Sequence, residues 1–168
     1  MSVEHPVSLV DYTSADLIIP ELQRDDVAGV VQELCQVLKK ADRIPDLLPF
    51  YHATLVREYL VNTLVGPDIA FPHARIHGLS QACFAVGRKQ EAIRWGSTEG
   101  AAVRLVFLSA VPATDAADYL RLLSGLTKFS KEPSLVEQLH QAKDPEEILA
   151  VLRQVRLRES SAIPVGST

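Results

Sequence analysis

Hydrophobic positions along this chain change period twice, and the changes divide it into three stretches. In the first, Val27, Val30, Val31, Leu34, Cys35 and Leu38 recur at i, i+3, i+4, i+7, i+8 and i+11, the stripe of an amphipathic helix that faces a core. Asp25 or Asp26 can cap its start, and Lys39-Lys40 suit the negative end of its dipole. Ile44-Pro45-Asp46 breaks the pattern. A second helix is predicted beyond it, with Leu48, Tyr51, Leu55 and Tyr59 as its apolar line and Val56 and Leu60 on a flank. It runs towards Asn62 and must stop at Gly66-Pro67.

The central stretch carries three short apolar runs, Ile69 to Phe71, Ala82 to Val86 and Val103 to Val111, separated by Gly, Pro and charged residues. Runs of this length with such boundaries read as strands. Helical spacing then returns in Leu120, Leu123 and Leu126-Thr127, in Leu135, Val136 and Leu139, and in Ile148, Leu149, Leu152 and Val155. Asp144-Pro145-Glu146-Glu147 is a strong start signal for the last of these, with an Asp cap, Pro at N1 and Glu at N3. Helices leading into a strand-rich centre and helices closing the chain predict a single α/β domain, one sheet covered by helices. The first dozen residues and the tail from about Arg156 show no amphipathic face, so both ends are expected to fray. The expected division is an N-terminal extension over 1–16, the domain over 17–155 and a tail over 156–168.

Composition narrows the function classes. The 168 residues, 47% of them apolar, suffice for one core without disulfides or metals. A net charge of -4 supplies no global basic field of the kind that draws nucleic acid. No uncharged apolar run is long enough to span a bilayer, and no leader pattern opens the chain, so a cytoplasmic protein without membrane insertion is expected. Cys35 and Cys83 form no CxxC and are expected to be reduced core residues.

The sharpest local feature is the segment Thr63 to Arg75, in which a helix end, a turn, a short strand and Pro72-His73 follow one another. Pro72 fixes its own φ and disfavours helical geometry at Phe71, so His73 is expected to leave the strand in a defined direction. A neutral imidazole is a good nucleophile towards phosphorus, and Arg57 or Arg75 could stabilise phosphoryl oxygens. Taken alone, a histidine after a proline is more often structural or merely exposed.

Four spaced anchors add to this reading: Arg57-Glu58 followed by Thr63; Ile69-Ala70-Phe71-Pro72-His73-Ala74; Ile93-Arg94-Trp95-Gly96; and Val103 to Leu108 running into Val111-Pro112. Together they resemble the fructose/mannitol-type IIA proteins of the bacterial sugar phosphotransferase system, including their nitrogen-regulatory relatives, over roughly Leu17 to Val155. The resemblance implies a mixed sheet of about five strands with helices on both faces. It implies that His73 accepts a phosphoryl group from an HPr-like phosphocarrier, for regulation of a partner protein or for transfer to a IIB component. Arg57 and Thr63 would border the site. Many members carry a second histidine before a leucine in the helix after the Val-Pro strand end, and Tyr119-Leu120 stands there in this chain. A tyrosine hydroxyl can donate a hydrogen bond but does not titrate near neutral pH, which leaves open a non-catalytic interaction module that keeps the fold.

The remaining conspicuous residues carry less. His73 and His77 have an H-x3-H spacing without a third ligand in view, so no metal and no cofactor are expected. His5, His52 and His140 are assigned no role. Ser80, Ser97 and Ser109 sit in no nucleophile turn, and Gly66, Gly78 and Gly87 make no phosphate-cradling loop. Trp95 reads as the cover of a core edge. Arg57-Glu58 alone reads as a solvated charge pair, and the resemblance favours phosphoryl stabilisation by Arg57.

Overall fold

The structure, a computed structural model, describes residues 6–96 and 101–157. In chain order its elements are β1 (Ile18–Ile19), α1 (Val27–Lys40), α2 (Leu47–Leu60), β2 (Leu64–Val65), β3 (Ile69–Ala70), β4 (His73–Ile76), β5 (Cys83–Arg94), β6 (Ala102–Pro112), α3 (Ala116–Ser130), α4 (Pro133–Gln141) and α5 (Pro145–Arg153). Two single-turn 3-10 helices, Leu9–Tyr12 and Ala15–Leu17, precede β1. Asp26 caps α1 by accepting from the Gly29 amide, and Asp144 caps α5 by accepting from that of Glu147, as expected of residues at those positions.

One mixed sheet runs in the order β1-β5-β6-β3-β2, with β4 also paired to β6. The long β5–β6 pair is antiparallel, and β3 and β4 both run parallel to β6. Because strand side chains alternate between faces, Leu105 and Phe107 of β6 enter one core, and Val106, Leu108 and Ala110 enter the other. The first core is closed by α3, α4 and α5, and the second by α1 and α2. Both faces of β6 are therefore dry, which is why its sequence is a continuous apolar run instead of an alternation. In the first core Phe107 meets Phe71, Phe84 and Phe129 with ring centroids 5.6, 5.9 and 5.5 Å apart.

His73 does not leave the sheet. It opens β4, which resumes the pairing of β3 with β6 in the same register: Ile69 and Ala70 face Leu105 and Val106, and His73 and Ala74 face Ser109 and Ala110. Pro72 interrupts the strand without shifting it because its carbonyl still accepts from the Ser109 amide at 3.0 Å. Its missing N–H belongs to the same, β6-facing edge, because the Phe71 N–H before it points the other way and donates to the Thr63 carbonyl at 3.1 Å, so one rung to β6 is lost while the register is kept. Counted as one interrupted strand, β3 and β4 reconcile the six segments with the expected five.

Three further expectations change. The buried line of α2 is Phe50, Thr54 and Glu58, whereas Leu48, Val56, Tyr59 and Leu60 are exposed. The helix ends at Leu60, and Gly66, at φ 66°, makes with Pro67 the turn between β2 and β3 instead of a helix stop. The N-terminus is not frayed over its described part: Leu9 and Tyr12 are buried, and Leu9 donates to the Val155 carbonyl. Ser8 bridges to Arg156, so the segment is held by the far end of the domain. The tail beyond Leu157 lies outside the described residues.

Candidate functional site

Strand alternation places Phe71, His73 and Arg75 on the α3 side of the sheet, opposite Ala74, which packs in the α1–α2 core. Phe71 is anchored in the aromatic cluster, while His73 is half-buried and Arg75 exposed. The His73 Nδ1 lies 3.0 Å from the Phe71 carbonyl oxygen. A carbonyl only accepts, so Nδ1 carries the proton and the neutral ring presents its lone pair at Nε2. On that side the Tyr119 hydroxyl approaches to 3.3 Å and donates. The two rings are 5.4 Å apart, and the Arg75 guanidinium sits over Tyr119 at 5.6 Å from its centroid.

Burial pushes the His73 pKa below the ordinary imidazole value; the Phe71 carbonyl and the Glu58 carboxylate oppose this, and the Arg57 and Arg75 charges reinforce it. The net result favours the neutral, nucleophilic form near pH 7. Arg57 is in the last turn of α2, where its Nη1 donates to the Val61 carbonyl at 2.7 Å. The same helix end leaves Tyr59, Leu60 and Val61 exposed, and α3 leaves Leu120 exposed beside Tyr119.

Glu58 is not half of a solvated charge pair. It is 4% exposed, and its Oε1 accepts from the Thr63 amide at 2.8 Å and from the Trp95 indole at 2.7 Å. Its Oε2 accepts from the Thr63 hydroxyl at 2.8 Å. The Thr63 Oγ1 in turn accepts from the Phe71 amide at 3.0 Å, an N–H it shares with the Thr63 carbonyl at 3.1 Å. Trp95 is wholly buried, and its one polar group is directed at the carboxylate. Of the residues singled out in the sequence, the structure brings His73, Tyr119 and Arg75 into contact, and it places Thr63 one residue's hydrogen bond away through Phe71. His77 is exposed at the turn after β4, and His140 lies elsewhere, its Nε2 2.9 Å from Asp68.

Two supports escaped sequence reasoning. Asp118, at the start of α3 next to Tyr119, accepts from the Tyr12 hydroxyl and from the Ala82 amide, each at 2.8 Å. The N-terminal 3-10 turn and the start of β5 therefore set where α3 begins. Glu58 is the other. Glu58 belongs to an anchor of the resemblance, but the one signal for its burial is its place four residues after Thr54 and eight after Phe50 on a helix, a line that hydrophobicity alone does not pick out.

A mixed sheet covered on both faces, with a strand-borne imidazole held at Nδ1 by a backbone carbonyl and at Nε2 by a tyrosine hydroxyl, is the arrangement of a IIA-type domain. The sequence profile of the phosphoenolpyruvate-dependent sugar phosphotransferase system, EIIA 2, matches residues 11–155, and the chain belongs to that family. It is similar to the fructose-specific EIIABC component of Bacillus subtilis, 29% identical over 79% of this chain, and spans 21% of that protein. Among solved structures it resembles the nitrogen regulatory protein IIA-Ntr of Neisseria meningitidis, with a TM-score of 0.78 at 24% identity over 86% of this chain and 98% of the other. It also resembles the IIA of an Escherichia coli complex between mannitol enzyme IIA and phosphorylated enzyme IIB, with a TM-score of 0.69 at 20% identity over 83% of this chain and 95% of the other. These likenesses establish a fold that in the mannitol system meets a IIB partner. Among the described residues no helix is long and apolar enough to cross a membrane.

Proposed function

We propose that this chain is a phosphoryl carrier that accepts a phosphoryl group on Nε2 of His73 from a cytoplasmic HPr-like phosphocarrier and passes it to a IIB component or keeps it as a regulatory mark. The observation that carries the reading is the Nδ1–H to Phe71 carbonyl bond, which leaves the lone pair on Nε2, where the Tyr119 hydroxyl at 3.3 Å is its one contact among the described hydrogen bonds. In the transfer that lone pair forms the new N–P bond while the donor's P–N bond breaks and its electron pair returns to the donor ring. No proton has to move on this chain. The positive charge that develops on the acceptor ring is met by the Phe71 carbonyl on one side, and Arg57 and Arg75 offset the phosphoryl charge on the other.

Tyr119 fits this scheme as the orienting group. Its hydroxyl gives up Nε2 as phosphorus approaches and can then donate to a phosphoryl oxygen. The exposed Tyr59, Leu60, Val61 and Leu120 supply the apolar surface that a docking carrier needs to bring two histidines in line. Incubation with the phosphorylated carrier is the test: acid-labile phosphate on His73, absent in His73→Ala, is expected, and wild-type protein without such phosphate would overturn the reading.

One observation favours a second reading, a non-catalytic interaction module: the Tyr119 hydroxyl already occupies Nε2. Such a module would bind its partner equally with His73 intact or changed to Ala. A phosphorylation-controlled regulator would instead change its binding in His73→Asp.

A further inference from the structure

The buried Glu58 carboxylate is an expensive group to hold in a dry site, and it is held by three donors that all belong to the approach to His73. Trp95 at the end of β5 fixes Oε1 from one side, and Thr63 takes both oxygens from the other. Gripped by its amide and its hydroxyl, Thr63 keeps Oγ1 aimed at the Phe71 amide. That amide lies on the far side of the residue whose carbonyl receives His73 Nδ1. Phe71 is further restrained by Phe107 in the core, and the following Pro72 removes φ freedom. From α2 to the imidazole, each link is a hydrogen bond between 2.7 and 3.1 Å or lies within a single residue.

We infer that Glu58 is a positioning residue for the phosphoryl-acceptor histidine: through Thr63 and Phe71 it fixes the carbonyl that holds His73 in its Nδ1–H tautomer, and so selects Nε2 as the nucleophile. This rests on the functional reading above for its meaning but not for its geometry. Glu58 reaches no reacting atom. Its contribution is the orientation of a carbonyl two residues before the acceptor in the chain. A carboxylate suits this because it is acceptor-only, so the Thr63 hydroxyl must spend its proton on Glu58 and its lone pair on Phe71. An amide at position 58 presents N–H where Oε2 stood, so the Thr63 hydroxyl must accept there and loses the acceptor that fixed its proton and its rotamer.

The experiment is long-range proton–nitrogen NMR of the imidazoles in wild type, Glu58→Gln, Thr63→Val and Thr63→Ser, with phosphoryl acceptance from the phosphorylated carrier measured on the same samples. Wild type is expected to show His73 as Nδ1–H. Glu58→Gln and Thr63→Val are expected to mix in the Nε2–H tautomer and to slow acceptance at saturating carrier by roughly five- to tenfold, the loss of about one hydrogen bond's worth of positioning, with carrier affinity unchanged. Thr63→Ser keeps the hydroxyl and is expected to restore both. A wild-type tautomer in folded Glu58→Gln or Thr63→Val overturns the inference, as does a Thr63→Ser that behaves like Thr63→Val. Should Glu58→Gln fail to fold, the Thr63 pair decides. Wild-type protein that takes up no phosphate, with tautomers behaving as expected, would instead sink the functional reading and leave the positioning intact.

Discussion

The two nitrogens of His73 live in different surroundings. Nδ1 faces a carbonyl at 3.0 Å behind which stand Thr63, a buried carboxylate and a buried tryptophan, all hydrogen-bonded. Nε2 faces a single hydroxyl at 3.3 Å on a residue whose ring is covered by an exposed arginine. The difference is the one that the proposed acceptor role asks of a histidine. A structural histidine is satisfied firmly at both ends, whereas a nucleophile needs one nitrogen locked and the other lightly held.

The largest expected effect falls on the reactive nitrogen itself. His73→Gln keeps a side chain able to meet the Phe71 carbonyl but has no nucleophile, and phosphoryl acceptance should fall to background in a transfer assay. On the locked side, Glu58→Ala strands the Trp95 indole and the Thr63 donors in a dry site. Stability in chemical denaturation should drop by roughly 3 kcal/mol, the cost of buried donors left unpaired. Tyr119→Phe on the lightly held side should change stability by no more than about 1 kcal/mol. Equal losses from these two variants would erase the contrast between the two sides.

Exchange of Tyr119 also bears on rate. Removing its hydroxyl in Tyr119→Phe should slow acceptance by no more than about tenfold, and Tyr119→His, which supplies an imidazole, should restore or exceed the wild-type rate; both are read in the same transfer assay. The smallest effect is on pH dependence. Burial first, then the nearby arginines, lower the His73 pKa, so just below pH 6.5, about the ordinary imidazole midpoint, the unfolded chain binds more protons than the folded one. Stability should therefore rise with pH through that window and decline on acidification until the folded-state pKa is passed. The difference between wild type and His73→Gln in denaturation at stepped pH isolates this share.

Much of the fold is legible in the sequence because α1, α3, α4 and α5 bury plain apolar stripes and β5 and β6 contain long apolar runs. What escaped is instructive. β1 and β2 are two residues long, too short to show any period, and β4 hides behind Pro72, which removes one donor to β6 without shifting the register. In α2 the exposed Leu48, Tyr59 and Leu60 outnumber the apolar residues of the buried face, where Thr54 and Glu58 sit, so hydrophobic spacing points to the wrong side. The site divides in the same way. His73, Arg57, Thr63 and Tyr119 carry recognisable side chains at recognisable places, but the Phe71 carbonyl has no side-chain signature and Glu58 acts through burial, which only the fold creates.

The central claim is that the chain chooses which nitrogen reacts. Phosphorylating imidazole-labelled protein with the phosphorylated carrier and reading phosphorus–nitrogen couplings by NMR tests it most directly. Phosphate on Nε2 of His73 with Nδ1 still protonated is the predicted result, and phosphate on Nδ1, or none on His73, would contradict the account.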